Sequence, residues 1–140
     1  MSHNTTQANL TSLIGRALLS GLFLFSGIGK LAAPAATKAY IASSGLPFPD
    51  LAYLAALFVE IGLALALLVG FKARIAAVLM AAFTVVTAVA FHTDFADQNQ
   101  LINFLKNFAI AGGLLQVAAL GAGGMSLDAI AQRRTGLVPN

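Results

Sequence analysis

Apolar residues run along this chain in four long blocks separated by short polar connections. The blocks cover residues 13–32, 51–69, 75–91 and 102–120. Each is close to the ~20 apolar residues that one helical crossing of a bilayer requires. Long helices of a water-soluble bundle show a polar outer face at a 3.6-residue period. The second and third blocks are apolar all round apart from isolated residues, which is the pattern of a membrane span. The connections agree with this reading. Pro34 is well placed at a helix start, and ATKAYIAS makes two turns before SSGLP ends them. The two prolines of LPFPD then set the direction of the second block. GFKAR, residues 70–74, is too short for anything but an antiparallel hairpin of helices. HTDFADQNQ is a polar loop of ordinary helix-connection length. After the fourth block and GAGG, MSLDAIAQRR reads as a short helix capped by Ser126, followed by a loose TGLVPN tail. Residues 1–11 are polar and read as mobile. The expected fold is all-α: one domain over residues 1–140, an integral membrane four-helix bundle running up-down-up-down.

Composition sharpens the picture. Of 140 residues 59% are hydrophobic and 9% charged, against roughly 25% charged in average soluble domains. Mean hydropathy is +0.85. Thirteen charges cannot cover the surface of a soluble globule of this size, so a soluble protein is excluded. The isoelectric point of 9.7 suggests nucleic acid. However, the net charge is only +3, and no Lys/Arg cluster interleaved with aromatics is present to track phosphates. The chain has no cysteine, which removes disulfides, thiolate metal sites and CxxC redox chemistry together. AAPAA resembles a signal-peptide cleavage site. The segment before Arg16 lacks basic residues, though, and Lys30 interrupts the approach, so the first block reads as a retained span. Four crossings place both termini on one side, with Arg16, Lys72, Arg74, Arg133 and Arg134. The other side holds Lys30 and Lys38 beside Asp50, Asp94 and Asp97. The positive-inside rule then puts both termini in the cytoplasm.

Ionisable residues at membrane depth are costly and therefore informative. Glu60, the only glutamate, sits mid-block, roughly 14 Å from either surface and too deep to snorkel. A bare carboxylate there must take up a proton or find a cation. Arg16 and Lys106 are both within reach, each offset by roughly 7 Å in depth. These three are the candidates for a catalytic role. Helical spacing puts Arg16, Ser20, Phe23, Gly27 and Lys30 on one face, and Tyr53, Ala56, Glu60 and Ala64 on another. Toward the outer ends, Lys30, His92, Asn103, Lys106 and Asn107 are able to line one polar pocket. His92, Asn103, Lys106 and Asn107 are its candidate ligand-binding residues. Each also has a plain reading. A Glu–cation pair with two asparagines holds helices in register, and Asn commonly bonds across helices. His92 reads first as an interfacial histidine; without further His or Cys it is a weak metal signal, and no metal is expected.

The order of these features resembles the DoxX family of small bacterial inner-membrane proteins. The resemblance rests on RALLSGLFLFSGIGKL at 16–31, YIASSGLPFP at 40–49, FVEIGLALALLVGFKARIAA at 58–77, INFLKNFAIAGGLL at 102–115 and GAGGMSLD at 121–128. The last stretch departs slightly, with Ala122 where the family often has proline. The resemblance implies a four-helix membrane fold with both termini inside, in a bacterial inner membrane. The family is named for a subunit of a thiosulfate:quinone oxidoreductase, and other members resemble membrane partners in redox-stress assemblies. Fold is constrained far better than function by such a resemblance.

Three functions follow. The first is a membrane component of a quinone-linked oxidoreductase or redox-stress system. Its one implied ligand is a quinone, since no resident-cofactor motif is present. The second is a non-enzymatic scaffold, assembly factor or chaperone-like partner. The third, ranked last, is carriage of a small solute or proton, for which four helices leave only a narrow path. The expected partners are the bilayer, a membrane redox complex and further copies of the chain; nucleic acid is not among them. A reporter fused to the C-terminus is expected to read the cytoplasmic side, and a periplasmic signal overturns the orientation.

Overall fold

The structure, a computed structural model, describes residues 2–136. Among them six helices follow one another: α1 (Ser2–Ala32), α2 (Pro34–Ser43), α3 (Pro49–Val69), α4 (Ala73–Phe91), α5 (Gln98–Leu120) and α6 (Leu127–Arg134). Four of these, α1, α3, α4 and α5, are long and apolar enough to cross a membrane. Their large apolar side chains face outward: Leu18 and Phe25 are 72% and 81% exposed. The interior is built of small residues with a few larger ones, including Ala64, Leu67, Ala77, Met80 and Leu114. That distribution lets helices approach closely while the bulky groups face lipid.

The spans alternate in direction. Arg16, half-way along α1, meets Leu67 and Leu68, late in α3, while Lys30 near the C-terminal end of α1 meets Tyr53 near the start of α3. Arg74 and His92 at the two ends of α4 likewise meet Ala119 and Gln100 at opposite ends of α5. Two ends of the bundle result. The α6 end gathers the beginning of α1, the α3–α4 turn and α6. The α2 end gathers α2 and the α4–α5 loop.

Residues 2–11 depart from expectation, and Met1 lies outside the described residues. From Ser2 onward they continue α1 rather than forming a mobile lead. The reason is an anchor: Asn9 Oδ1 accepts the Gly124 N–H at 2.6 Å and Ser12 Oγ donates to Ala122 O at 2.9 Å, so the α5–α6 connection holds the first turns. The fourth span also starts earlier than expected, because Asp97 caps it by accepting the Asn99 N–H at 2.7 Å. Ser126 caps α6, accepting the Ala129 N–H at 3.1 Å. The loose C-terminal tail falls partly outside the described residues.

The α6 end is tied together by arginines acting on helix termini, whose last carbonyls have no partner within the helix. At the end of α3 the Phe71 N–H bonds Ala66 O and the Gly70 N–H bonds Leu67 O, with Gly70 left-handed at φ 70°. This is a Schellman closure. A side chain at Gly70 would also meet Ser126 Cβ. Fully buried Arg16 then donates from Nη1 to Leu67 O at 3.0 Å and Leu68 O at 2.6 Å, and from Nη2 to Met125 O at 2.7 Å. Arg74 does the same for α5, donating to Ala118 O and Ala119 O at 3.1 and 2.7 Å. Lysine lacks the planar fork that spans such carbonyls. Arg16→Lys is therefore expected to lose at least one charge-assisted bond, roughly 1.5–3 kcal/mol. A lower thermal-unfolding midpoint in detergent would show it; an unchanged midpoint would contradict the capping role.

Candidate functional site

Midway along α3 the hydrogen-bond pattern widens into a π turn, Phe58–Leu63, with Glu60 inside it. Such turns insert one extra residue into a helix and are frequent at functional positions. Opposite it, α1 presents Gly27. A Cβ there would stand 2.7 Å from Ile61 Cγ1 and 3.1 Å from Glu60 Cβ, so only glycine permits this approach. The approach brings the Glu60 carboxylate against α1, where it is 7% exposed. Lys30 Nζ donates to Glu60 Oε1 at 2.9 Å and to Ser26 Oγ at 2.8 Å, and Ser26 Oγ donates to Oε1 at 3.2 Å. Glu60 Oε2 lies 2.9 Å from the same ammonium but receives no hydrogen bond. Tyr53 Oη donates to the carbonyl of Lys30 at 3.2 Å, fixing the end of α1.

This ion pair lines a cavity of about 550 Å³ that opens among α1 to α5 in the half of the bundle nearest the α2 end. The walls are mainly apolar, with Phe23, Ala56, Phe83 and Ile110 among them. Polar atoms come from Ser26, Lys30, Thr37, Tyr40, Glu60, Thr84, Thr87, His92 and Asn107. Helix α2 closes the outer side. Its Tyr40 ring stacks on Phe91, centroids 5.2 Å apart and 16° between planes, and Ile41 is buried. Lys38 Nζ lies 2.6 Å from Asp50 Oδ1, fastening α2 to the start of α3. The hydrogen bond that Lys38 donates to Asp50, and the negative charge of Asp50, hold the Lys38 pKa above the usual lysine value. His92 Nδ1 lies 2.8 Å from Gln100 Oε1. That contact puts the ring proton on Nδ1 and leaves Nε2 as an acceptor in the neutral ring.

The structure separates the residues that the sequence grouped. The partner of Glu60 is Lys30, and neither Arg16 nor Lys106 reaches it. Arg16 serves carbonyls at the opposite end, and Lys106 is exposed on α5 outside the cavity. His92 and Asn107 line the cavity and Asn103 does not; its carbonyl accepts from Asn107 Nδ2 at 2.9 Å within the same helix. Arg74, expected only to set topology, also caps α5. Ser26, Thr37 and Tyr40 also line the cavity, outside the set that the sequence predicts. Ser26 carried a legible signal, one turn before Lys30 on the same face. The covering role of α2 carried none.

Comparison with known proteins is consistent across most of the chain. The DoxX family profile matches residues 11–93, from α1 through α4. Inner membrane protein YqjF of Escherichia coli (strain K12) is 36% identical over 122 residues, covering 87% of this chain and 92% of that protein. Inner membrane protein YphA of the same organism is 38% identical over 121 residues, covering 83% and 86%. No solved structure matches the chain.

Removing one partner of a buried ion pair strands the other charge, at a cost of roughly 3–5 kcal/mol. Lys30→Met is expected to lower the unfolding midpoint sharply, and the double change Lys30→Met/Glu60→Gln to recover most of it. Lys106→Gln should leave the midpoint unchanged. Equal losses for Lys30→Met and Lys106→Gln in a thermal melt would refute the pairing.

Proposed function

The chain belongs to the DoxX family, and from that premise we propose that it is a multi-pass inner-membrane component of a quinone-linked redox system whose cavity docks the quinone ring. The observation that carries this reading is an apolar chamber at membrane depth with a few polar groups around it. Its ~550 Å³ is of the size and character of small-molecule sites. A quinone offers two carbonyls on a flat apolar ring. The Lys30 ammonium and the Tyr40 hydroxyl are donors for a carbonyl, and His92 Nε2 is an acceptor for the hydroxyl of the reduced form. Glu60 keeps the Lys30 ammonium in place. The chain has no cysteine to donate electrons, so these come from a partner protein.

The names of the two relatives support an inner-membrane location. Placing the basic α6 end in the cytoplasm puts the cavity in the periplasmic half of the bilayer. A second reading is favoured by one observation: the Lys30–Glu60 pair also ties α1 to α3. On that reading the chain is a non-enzymatic scaffold or assembly partner, and the pair serves packing alone.

Binding separates the two. Purified chain titrated with a short-tailed ubiquinone analogue is expected to take up about one molecule per chain. Ala90→Phe, which fills the cavity without touching the ion pair, should weaken binding at least ~10-fold while the unfolding midpoint holds, the loss expected when a preformed pocket is blocked. Absence of saturable quinone uptake by the unaltered chain rejects the redox reading and leaves the scaffold.

A further inference from the structure

A second concavity lies at the α6 end, apart from the cavity between the spans. It holds about 560 Å³ between the α3–α4 turn and α6, and its side chains include Lys72, Arg74, Ser126, Asp128, Gln132 and Arg133. Three cations thus stand around one carboxylate, and that carboxylate is already engaged. Asp128 Oδ1 accepts the Lys72 N–H at 2.7 Å and Oδ2 the Ala73 N–H at 2.9 Å, capping the start of α4. Among the described residues no carboxylate forms an ion pair with Lys72, Arg74 or Arg133. At the α2 end, by contrast, Lys30 and Lys38 are both paired with carboxylates.

The crevice is also shaped in advance. Arg74 is fixed by the two carbonyls at the end of α5. Lys72 is held left-handed, at φ 45°, by the bond from its N–H to Asp128, and its ammonium lies 5.9 Å from the centre of the Phe71 ring. The surroundings are apolar: Phe71, Leu120, Met125, Leu127 and Ile130 are between 45 and 77% exposed. Leu127 and Ile130 lie one turn apart on α6, which ends in Arg133 and Arg134. A short helix with apolar and basic residues at the end of four spans sits where acyl chains give way to headgroups.

We propose that this crevice binds the phosphate of an anionic phospholipid. Lys72, Arg74 and Arg133 neutralise the headgroup, and the exposed apolar side chains of α6 and the α3–α4 turn receive the acyl chains. Inorganic phosphate would satisfy the cations but leave the apolar surroundings uncovered, which is why the lipid is favoured. Each juxtamembrane cation contributes about fivefold to affinity for an anionic surface.

The test uses the full chain in neutral detergent, titrated with phosphatidylglycerol or phosphatidylcholine of identical acyl chains while native mass spectrometry counts bound lipid. The unaltered chain is expected to prefer phosphatidylglycerol at least ~25-fold, and Lys72→Gln/Arg133→Gln to lower phosphatidylglycerol affinity about 25-fold. Phosphatidylcholine binding should not change. Arg133→Gln alone, on the exposed end of α6, should give about a fivefold loss and carries the test if the double variant unfolds. Lys38→Gln, at the other end, should leave the preference intact. Equal affinity of the unaltered chain for both lipids overturns the proposal, as does a loss from Lys38→Gln matching that of the double variant. Complete displacement of phosphatidylglycerol by millimolar inorganic phosphate would reassign the crevice to a free anion and overturn the lipid assignment.

Discussion

A carboxylate half-way across an apolar slab must take up a proton or have a cation beside it, and much of this molecule is arranged around the second solution. Glu60 is met by Lys30 at 2.9 Å. The pair forms because Gly27 lets α1 and α3 approach backbone to backbone, and because the π turn places Glu60 at the contact. Ser26 and Tyr53 then fix the ammonium and the helix end that carries it. The cavity occupies the space between the pair and α2.

The two ends of the bundle solve different problems. At the α6 end the difficulty is unsatisfied carbonyls in the last turns of α3 and α5, and two guanidiniums answer it. Asp128 and Asn9 add bonds from α6 and α1, so four separate segments are cross-tied there. At the α2 end the ties are a ring stack, one ion pair on the surface, a histidine–glutamine contact and the Tyr53 hydroxyl on the Lys30 carbonyl. Surface ion pairs contribute little, typically under ~1 kcal/mol. The α2 end, where the cavity lies, is thus held by fewer cross-ties than the α6 end.

The four spans, the α6 cap and the inward faces of α1 and α3 were legible in the sequence, because hydropathy and 3.6-residue spacing act locally. Depth leaves the partner of Glu60 open between Arg16 and Lys106, and the structure gives Lys30 instead. Helical side chains lean toward the N-terminus of their own helix. In α1 that direction runs from the α2 end toward the α6 end, so Lys30 leans inward and Arg16 outward. In α5, which runs the other way, Lys106 leans outward, and in α3 Glu60 leans toward Lys30. This rule, with the alternating topology, separates the three cations. The start of α1 was missed for another reason: its helix depends on Asn9 and Ser12 contacts to residues more than one hundred positions away. The cover formed by α2 likewise depends on Phe91, which no local pattern connects to Tyr40.

The placement of the aromatic hydroxyls has one more consequence. The chain has no tryptophan and two tyrosines. Tyr40 lies on the helix that closes the cavity, and Tyr53 is bonded to the carbonyl of the residue that neutralises Glu60. Both stand at the α2 end and none at the other. The protein's intrinsic ultraviolet emission is thus a local signal, arising beside the cavity, and it is silent about the arginine-capped end.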